Sequence, residues 1–340
     1  MPSIKNVVKG KYYEKFQVLA LIIIAGSSVS GGESIRLERT EPHMGTNFRI
    51  VLYATSPEIG DRAFRAAFKR IEGLNESFSD YLPNSELSQL SLTAGTGKSV
   101  PLSAELRKIL LASAQISIDT AGAFDITVGP YARLWKIARA KRKLPRPDRL
   151  KLFKKSVGHT NIHLNPNDKT VELTAPGMFL DLGGIAKGFA ADEVLTTLAE
   201  LEIQQALVDA GGDIVLGAPP PDRGGWNIAI GGRKHSDLPV LTLSNCAVAT
   251  SGDIEQSIEI EGKTYSHIVD PRTGIGLTNR IQSTIIAPNG TTADALASAT
   301  CVLGSEESRR ILKQRFPNVS AYILTKSDNS TDLIQINSRN

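Results

Sequence analysis

Ala206-Leu-Val-Asp-Ala-Gly-Gly-Asp-Ile-Val-Leu216 is the stretch that decides the fold class. Two short aliphatic runs, Ala206–Asp209 and Asp213–Leu216, flank a Gly-Gly pair, the composition of two strands joined by a tight turn. Three more strands are expected directly downstream, at Trp226–Ile230, Val240–Leu243 and Ala247–Ala249, with Gly and Pro between them. Upstream, Val194, Leu195, Leu198 and Leu201 carry a helical period over Lys187–Leu201. A helix followed by a β-meander breaks any steady βαβ alternation, so the class is α+β.

The flanks agree. Phe48–Tyr53 is a strand candidate. Asp61–Asn75 is a helix, with Phe64, Ala67, Phe68, Ile71 and Leu74 on one face. Ser103 is placed to cap a helix carrying Leu106, Ile109, Leu110 and Ile116. Leu144-Pro-Arg-Pro147 is a surface loop, and strands at Thr160–Leu164 and Thr170–Leu173 bracket the turn Asn165-Pro-Asn-Asp168. Thr291–Leu303 and Ser305–Phe316 are two helices, and Val319–Leu324 is a last strand. With no internal repeat and no low-complexity linker, a single domain is expected over residues 36–330.

Residues 1–32 have a different character. Lys5, Lys9, Lys11 and Lys15 precede the apolar run Val18–Ala25, and small residues follow through Gly32. This is the pattern of a secretory signal peptide or of an uncleaved N-terminal membrane anchor. The run is short against the roughly 20 residues of a comfortable span, and no cysteine follows it to take a lipid. Either reading places the body outside the cytoplasm, periplasmic or anchored to the inner membrane and facing outward.

The net charge of +4 hides a local excess. Residues 136–155 hold ten of the 39 cations and one of the 35 acids, leaving 29 cations against 34 acids elsewhere. That distribution excludes a basic face running through the whole chain, and with it nucleic acid as a partner. The block reads as a solvated helix end and loop, with partner docking or peripheral association with an anionic membrane as the alternatives. Cys246 and Cys301 allow one disulfide or two buried thiols, and lack the spacing of a zinc site.

Two apparent motifs dissolve on inspection. Gly95-Thr-Gly-Lys-Ser99 ends like a phosphate loop, but Leu92 stands where the first Gly belongs, and Val100-Pro101 cannot open a helix. His159 and His163 are four apart but lie in a strand-like context, where such a pair need not converge.

Three segments keep their chemistry. Asp294 and Ser298, i and i+4 near a helix start, present a carboxylate and a hydroxyl on one face, hard oxygen ligands for magnesium. Helix-start electrostatics is the plainer account of Asp294. Asp181-Leu-Gly-Gly-Ile-Ala-Lys-Gly188 sets two glycines before a helix, where backbone amides and Lys187 can meet an anion. Tyr265-Ser-His-Ile-Val-Asp-Pro-Arg-Thr-Gly274 packs an imidazole, a carboxylate and a guanidinium around a specified turn. His267 suits a general base, with Asp270 or Arg272 to position it or a phosphate.

In this order, the segments resemble the ApbE-type flavin transferases, which move FMN from FAD onto a Thr or Ser hydroxyl of a target protein. The resemblance runs from about Met44 to Leu303. It is carried by Met44-Gly-Thr46, Phe78-Ser-Asp-Tyr81 with Ser85-Glu-Leu-Ser88, Gly122-Ala-Phe-Asp125 with Thr127-Val128, and the Asp181–Gly188 segment. Gly211-Gly-Asp213, Ala249-Thr-Ser-Gly-Asp253, His267-Ile-Val-Asp-Pro-Arg-Thr-Gly274 and Ala293-Asp-Ala-Leu-Ala-Ser298 complete it. It implies a single ApbE-like, T-fold-like domain. It implies that Asp294, Ser298 and the carbonyl of Gly184 bind Mg2+, and that His267 is the base. Met44, Tyr81, Ala123, Phe124, Asp125, Asp181, Lys187 and Ile268 would line the site for FAD, the substrate. The family usually has Thr at the position of Ser298; the hydroxyl is retained. The partner would be an exported or membrane redox protein with a Thr or Ser acceptor. Hydrolysis of FAD to FMN and AMP, and flavin binding without turnover, are the competing readings.

Overall fold

The computed structural model describes residues 34–231, 238–252, 257–326 and 330–337. The export reading of residues 1–32, and Asp253 of the Ala249–Asp253 motif, lie outside them. From Ser34 onward the chain is one compact unit.

Its centre is an eight-stranded sheet whose spatial order is the order of the chain. The strands are β1 (Ile35–His43), β2 (Thr46–Ala54), β3 (Ala206–Ala210), β4 (Ile214–Leu216), β5 (Cys246–Gly252), β6 (Ile281–Ala287), β7 (Ser320–Lys326) and β8 (Thr331–Ile336). Every neighbouring pair is antiparallel. The helices are inserted between strands: α1 (Pro57–Phe78), α2 (Glu86–Leu92), α3 (Ala104–Asp119), α4 (Gly129–Lys141), α5 (Pro147–Phe153), α6 (Ala186–Glu200) and α7 (Gly290–Arg315). The fold is α+β, as the meander implies.

Side chains alternate across the sheet with the two-residue period of a strand. Phe48, Ile50 and Leu52 of β2, Ala206 and Val208 of β3, and Ala321 and Ile323 of β7 join the core shared with the helices. Val51, Leu207, Tyr322 and Leu324 point to the opposite face. There they meet Trp226, Ile228 and Leu243 of a separate hairpin, Trp226–Ala229 with Val240–Leu243.

Several expected bounds move for local reasons. The helix expected at Asp61–Asn75 starts four residues earlier, because Ser56 caps it and Pro57 opens it. Ser103 Oγ accepts from the Leu106 amide, as its cap position requires. The two helices expected on either side of Gly304 are both present within α7, and the break between them falls at Gly304, where φ is +74°. The strand expected from Thr160 begins at Ile162, after a 3₁₀ turn at His159–Asn161. β1, β6, β8, α2, α5 and the first turns of α4 were not expected, whereas the end of α4 falls where the basic block predicts a helix end. Cys246 and Cys301 are both buried, and Cys301 Sγ donates to the Ser251 carbonyl at 3.4 Å. The basic block forms the end of α4 and all of α5, which buries none of its residues. Among the described residues no helix is long and apolar enough to cross a membrane.

One crossing positions the site. α6 and α7 meet at Gly188 and Gly290. A Cβ on Gly188 would lie 2.1 Å from the Gly290 carbonyl oxygen and 2.9 Å from Asp294 Cβ. Asp192 of α6 accepts from the amides of Gly290 and Thr291 at 2.6 and 2.8 Å, tying the start of α7 to α6. Gly188→Ala is expected to destabilise the chain by about 1–3 kcal/mol, the usual effect of forcing atoms into a packed contact. An unchanged urea midpoint would show that this crossing can open freely.

Candidate active site

A single cavity of about 1640 Å³ runs along the β2–β5 end of the sheet, under α4 and over the starts of α6 and α7. Met44, Tyr81, Ala123, Phe124, Asp125, Asp181, Gly184, Lys187, His267, Ile268, Asp294 and Ser298 all line it. The fold thus gathers these twelve residues from segments more than two hundred positions apart.

Turns deliver most of them. Met44 and Gly45 close the β1–β2 hairpin, both with positive φ (48° and 73°), so the hairpin tip projects Met44 to the cavity. Gly211 packs against Thr46 so closely that a Cβ would sit 2.1 Å from Thr46 Oγ1. That contact holds the β3–β4 turn, and Asp213 with it, beside the first hairpin. Tyr81 stands at the rim, 73% exposed, with Lys136 Nζ 4.5 Å from its ring centroid.

The electrostatic centre is a buried triad. Lys187 Nζ bonds Asp213 Oδ2 and lies 3.6 Å from Asp294 Oδ1. Asp294 is 2% exposed, and its Oδ2 accepts from the Gly188 amide at 3.1 Å. Burial, then the Asp294 charge, pushes Asp213 up to about 7, with Lys187 opposing. Burial works against the Lys187 ammonium, but Asp294 and Asp213 outweigh it and raise its pKa. Two buried carboxylates share one ammonium, so the cluster has anionic character to offer a cation.

Ser298 lies one turn along α7 from Asp294, its Oγ 3.3 Å from Ser251 Oγ. A Cβ on Gly184 would be 3.4 Å from Ser298 Oγ, so the backbone at 184 lies beside that hydroxyl. Among the described residues no three His, Cys, Asp or Glu side chains converge as a metal cluster. A carboxylate, a hydroxyl and a backbone carbonyl are nevertheless hard oxygen donors of the kind Mg2+ takes with ligand phosphates and water. The donors and the anionic cluster fit that ion.

Asp125 lines the cavity, yet its carboxylate is spent on the fold. Oδ1 accepts from Thr127 N (2.8 Å) and Oγ1 (2.7 Å), and Oδ2 accepts from His159 N at 2.7 Å. It shapes the Ala123–Asp125 wall. The Asp125 carboxylate raises the His159 imidazole above its ordinary value, although burial opposes the charge. Protonation therefore favours the folded chain, fully below about pH 6.5 and fading as pH rises through the folded-state value. The stability lost in His159→Gln is expected to be larger at about pH 5.5 than at about pH 8.5 in matched denaturation curves. His163 lies in the strand Ile162–Leu164, and His159 opens the 3₁₀ turn before it.

Asp181 and Asp80 both line the cavity, near enough for the Asp181 charge to act on Asp80. Burial raises both; their shared negative charge adds to the rise at Asp80, and Arg133 offsets part of it at each.

His267 occupies the short link between two hairpins, Ser257–Ile260 with Lys263–Ser266 and Val269–Asp270 with Ile275–Gly276. Asp270 and Arg272 sit three and five positions beyond it. They form a bidentate pair with each other at 2.9 and 2.9 Å, and neither lines the cavity. Their work is to build the turn, as a fork-shaped guanidinium on a carboxylate does well. Gly274, with φ of +75°, ends that turn against Tyr131, and its carbonyl accepts from Trp135 Nε1 at 2.8 Å. The segment carrying His267 is thereby fastened to α4.

This arrangement can be set beside known proteins. The model of the ApbE family matches residues 44–323. The chain belongs to the ApbE family. It is 33% identical over 331 residues to the FAD:protein FMN transferase of Treponema pallidum, covering 92% of this chain and 91% of the relative. It is 32% identical over 269 residues to that of Haemophilus influenzae, covering 76% and 77%. Among solved structures it resembles the flavin transferase ApbE from Vibrio cholerae, with a TM-score of 0.77 and 26% identity over 89% of this chain and 98% of that one. The ApbE protein from Thermotoga maritima gives 0.77 and 28%, covering 88% and 97%.

The cavity of this ApbE-family chain also carries polar groups beyond those twelve residues. Asp213 was visible within Gly211-Gly-Asp213, but its partnership with Lys187 needs the β3–β4 turn to fold onto α6. Asp80 sat beside Tyr81 unassigned. Arg133 precedes the basic block, and Lys136 and Arg139 were submerged in it.

Proposed function

We propose that the chain transfers the FMN portion of FAD to a Thr or Ser hydroxyl of an acceptor protein and releases AMP. The observation that carries this reading is the convergence of His267, Lys187, Asp294, Ser298 and the remaining family-implied residues on one cavity. The acceptor oxygen forms a bond to the FMN-side phosphorus. The bond from that phosphorus to the bridging oxygen breaks, and AMP leaves with the oxygen. His267 takes the hydroxyl proton as the attack proceeds. Asp294, Ser298 and the Gly184 carbonyl would hold Mg2+, which when bound offsets the charge of the pyrophosphate and of the departing AMP. Lys187 keeps Asp213 and Asp294 oriented from the helix start and places a cation beside the anionic substrate.

The cavity has room for an acceptor beside FAD. About 1640 Å³ exceeds the roughly 300–1,000 Å³ of most small-molecule pockets. FAD and a segment of another chain can share it. On the export reading of residues 1–32, the acceptor is an exported or membrane redox protein met outside the cytoplasm. The exposed basic surface of α4 and α5 suits peripheral contact with an anionic membrane there.

The test is product analysis of the chain with FAD, with and without Mg2+ and a Thr-containing acceptor. Magnesium-dependent AMP release with an FMN mass added to the acceptor is expected. AMP and free FMN regardless of acceptor would make the protein a hydrolase, and tight FAD binding without AMP would make it a carrier.

A further inference from the structure

α4 turns three cations to the cavity, Arg133, Lys136 and Arg139. Two are already engaged. Arg133 lies over the Phe179 ring and faces Asp80 and Asp181. Lys136 stands over the Tyr81 ring. Arg139 is half-buried, and its hydrogen bond to the Ser266 carbonyl, 3.5 Å from Nη2, is long for such a contact. Among the described residues no carboxylate pairs with it, and burial alone acts on its guanidinium, lowering the pKa. A guanidinium keeps its charge in proteins, and a partly buried charge without a counter-ion is unfavourable. Such a group at a cavity wall is placed for an anion that arrives with the ligand.

Its anchor says where that anion sits. Ser266 immediately precedes His267, so Arg139 reaches the link that carries the base. The anionic part of FAD is its pyrophosphate, whose FMN-side phosphorus is the atom attacked. Planar, multidentate phosphate recognition is what Arg does better than Lys. We propose that Arg139 binds the FAD pyrophosphate and holds the reacting phosphorus in reach of the hydroxyl that His267 deprotonates. This rests on the FMN-transfer reading and adds to it a residue for substrate binding.

The experiment compares calorimetric titrations of the full-length chain, Arg139→Met and Arg139→Lys with FAD and with riboflavin, which has the ring system but no phosphate. Melting curves confirm that each variant is folded. Arg139→Met is expected to weaken FAD binding about 10- to 100-fold, the range for losing a charged hydrogen-bonding group. Riboflavin affinity should change little, and Arg139→Lys should recover part of the FAD loss. Equal weakening for both ligands would mean that Arg139 only steadies the Ser266–Ile268 link, and would overturn the assignment. Unchanged FAD affinity would overturn it too. The transfer assay separates the two readings. Wild-type protein that shows this binding pattern but modifies no acceptor refutes the transferase and leaves Arg139 in place. Active wild type with an indifferent Arg139→Met does the reverse.

Discussion

His267→Ala is expected to lower the rate of FMN transfer about 10²–10⁴-fold, the usual contribution of a positioned general base. The argument is geometric. The imidazole lines the cavity on a link held by backbone hydrogen bonds from the Ser266 amide to the Leu277 carbonyl and from the Leu277 amide to the Ile268 carbonyl, and by the Gly274 turn under Trp135. No member of the Asp270–Arg272 pair reaches the cavity to take over its work. FAD affinity should change far less than the rate, because the proton moves only as the reaction proceeds. A variant that keeps the wild-type rate would remove His267 from the reaction. A variant that loses FAD binding in proportion to rate would make it a binding residue.

How far the chain disclosed itself depends on what each segment buries. The meander from Ala206 to Ala249 was legible because short aliphatic runs are separated by Gly and Pro. β6 was not. It is buried over its whole length, so no polar face alternates with an apolar one, and Gln282, Ser283 and Thr284 sit at its centre. Those groups are satisfied by Gly231 O, Thr300 Oγ1 and Thr250 Oγ1, partners that only the fold supplies. β1 failed for the opposite reason. It is an edge strand with Arg36, Glu38, Arg39 and Glu41 at its surface, and its apolar content is too low to read. α4 has a narrow apolar stripe, Tyr131, Trp135 and Ala138, and its cations continue into the following loop, so the whole read as a charge run.

The site divides in the same way. His267, Lys187 and the Asp294–Ser298 pair were legible because each sits in a local motif with its own chemistry. What stayed hidden was relational. Asp213 becomes a partner of Lys187 only when the turn carrying Gly211 packs on Thr46. Asp125 turned out to build its wall with its carboxylate, which no motif discloses.

Asp294→Asn should separate activity from stability. Asp294 is buried, shares Lys187 with Asp213, and accepts the Gly188 amide bond at the α6–α7 crossing. Asn retains an oxygen for that amide, so the buried N–H stays paired and the roughly 1–3 kcal/mol penalty of orphaning it is avoided. The change also removes one of two carboxylates held beside one ammonium. Without Mg2+, the variant should therefore unfold at a urea concentration equal to or above that of the wild type. Transfer should fall by about 10²–10³-fold, the scale of losing one charge-stabilising group in a preorganised site. Added Mg2+ should no longer raise its melting temperature, whereas it should raise that of the wild type. Asp294→Ala makes the contrast sharper, since it loses the amide acceptor as well and should be the less stable of the two. A destabilised Asp294→Asn that keeps its magnesium response would place the ion elsewhere and leave Asp294 as a helix-crossing residue.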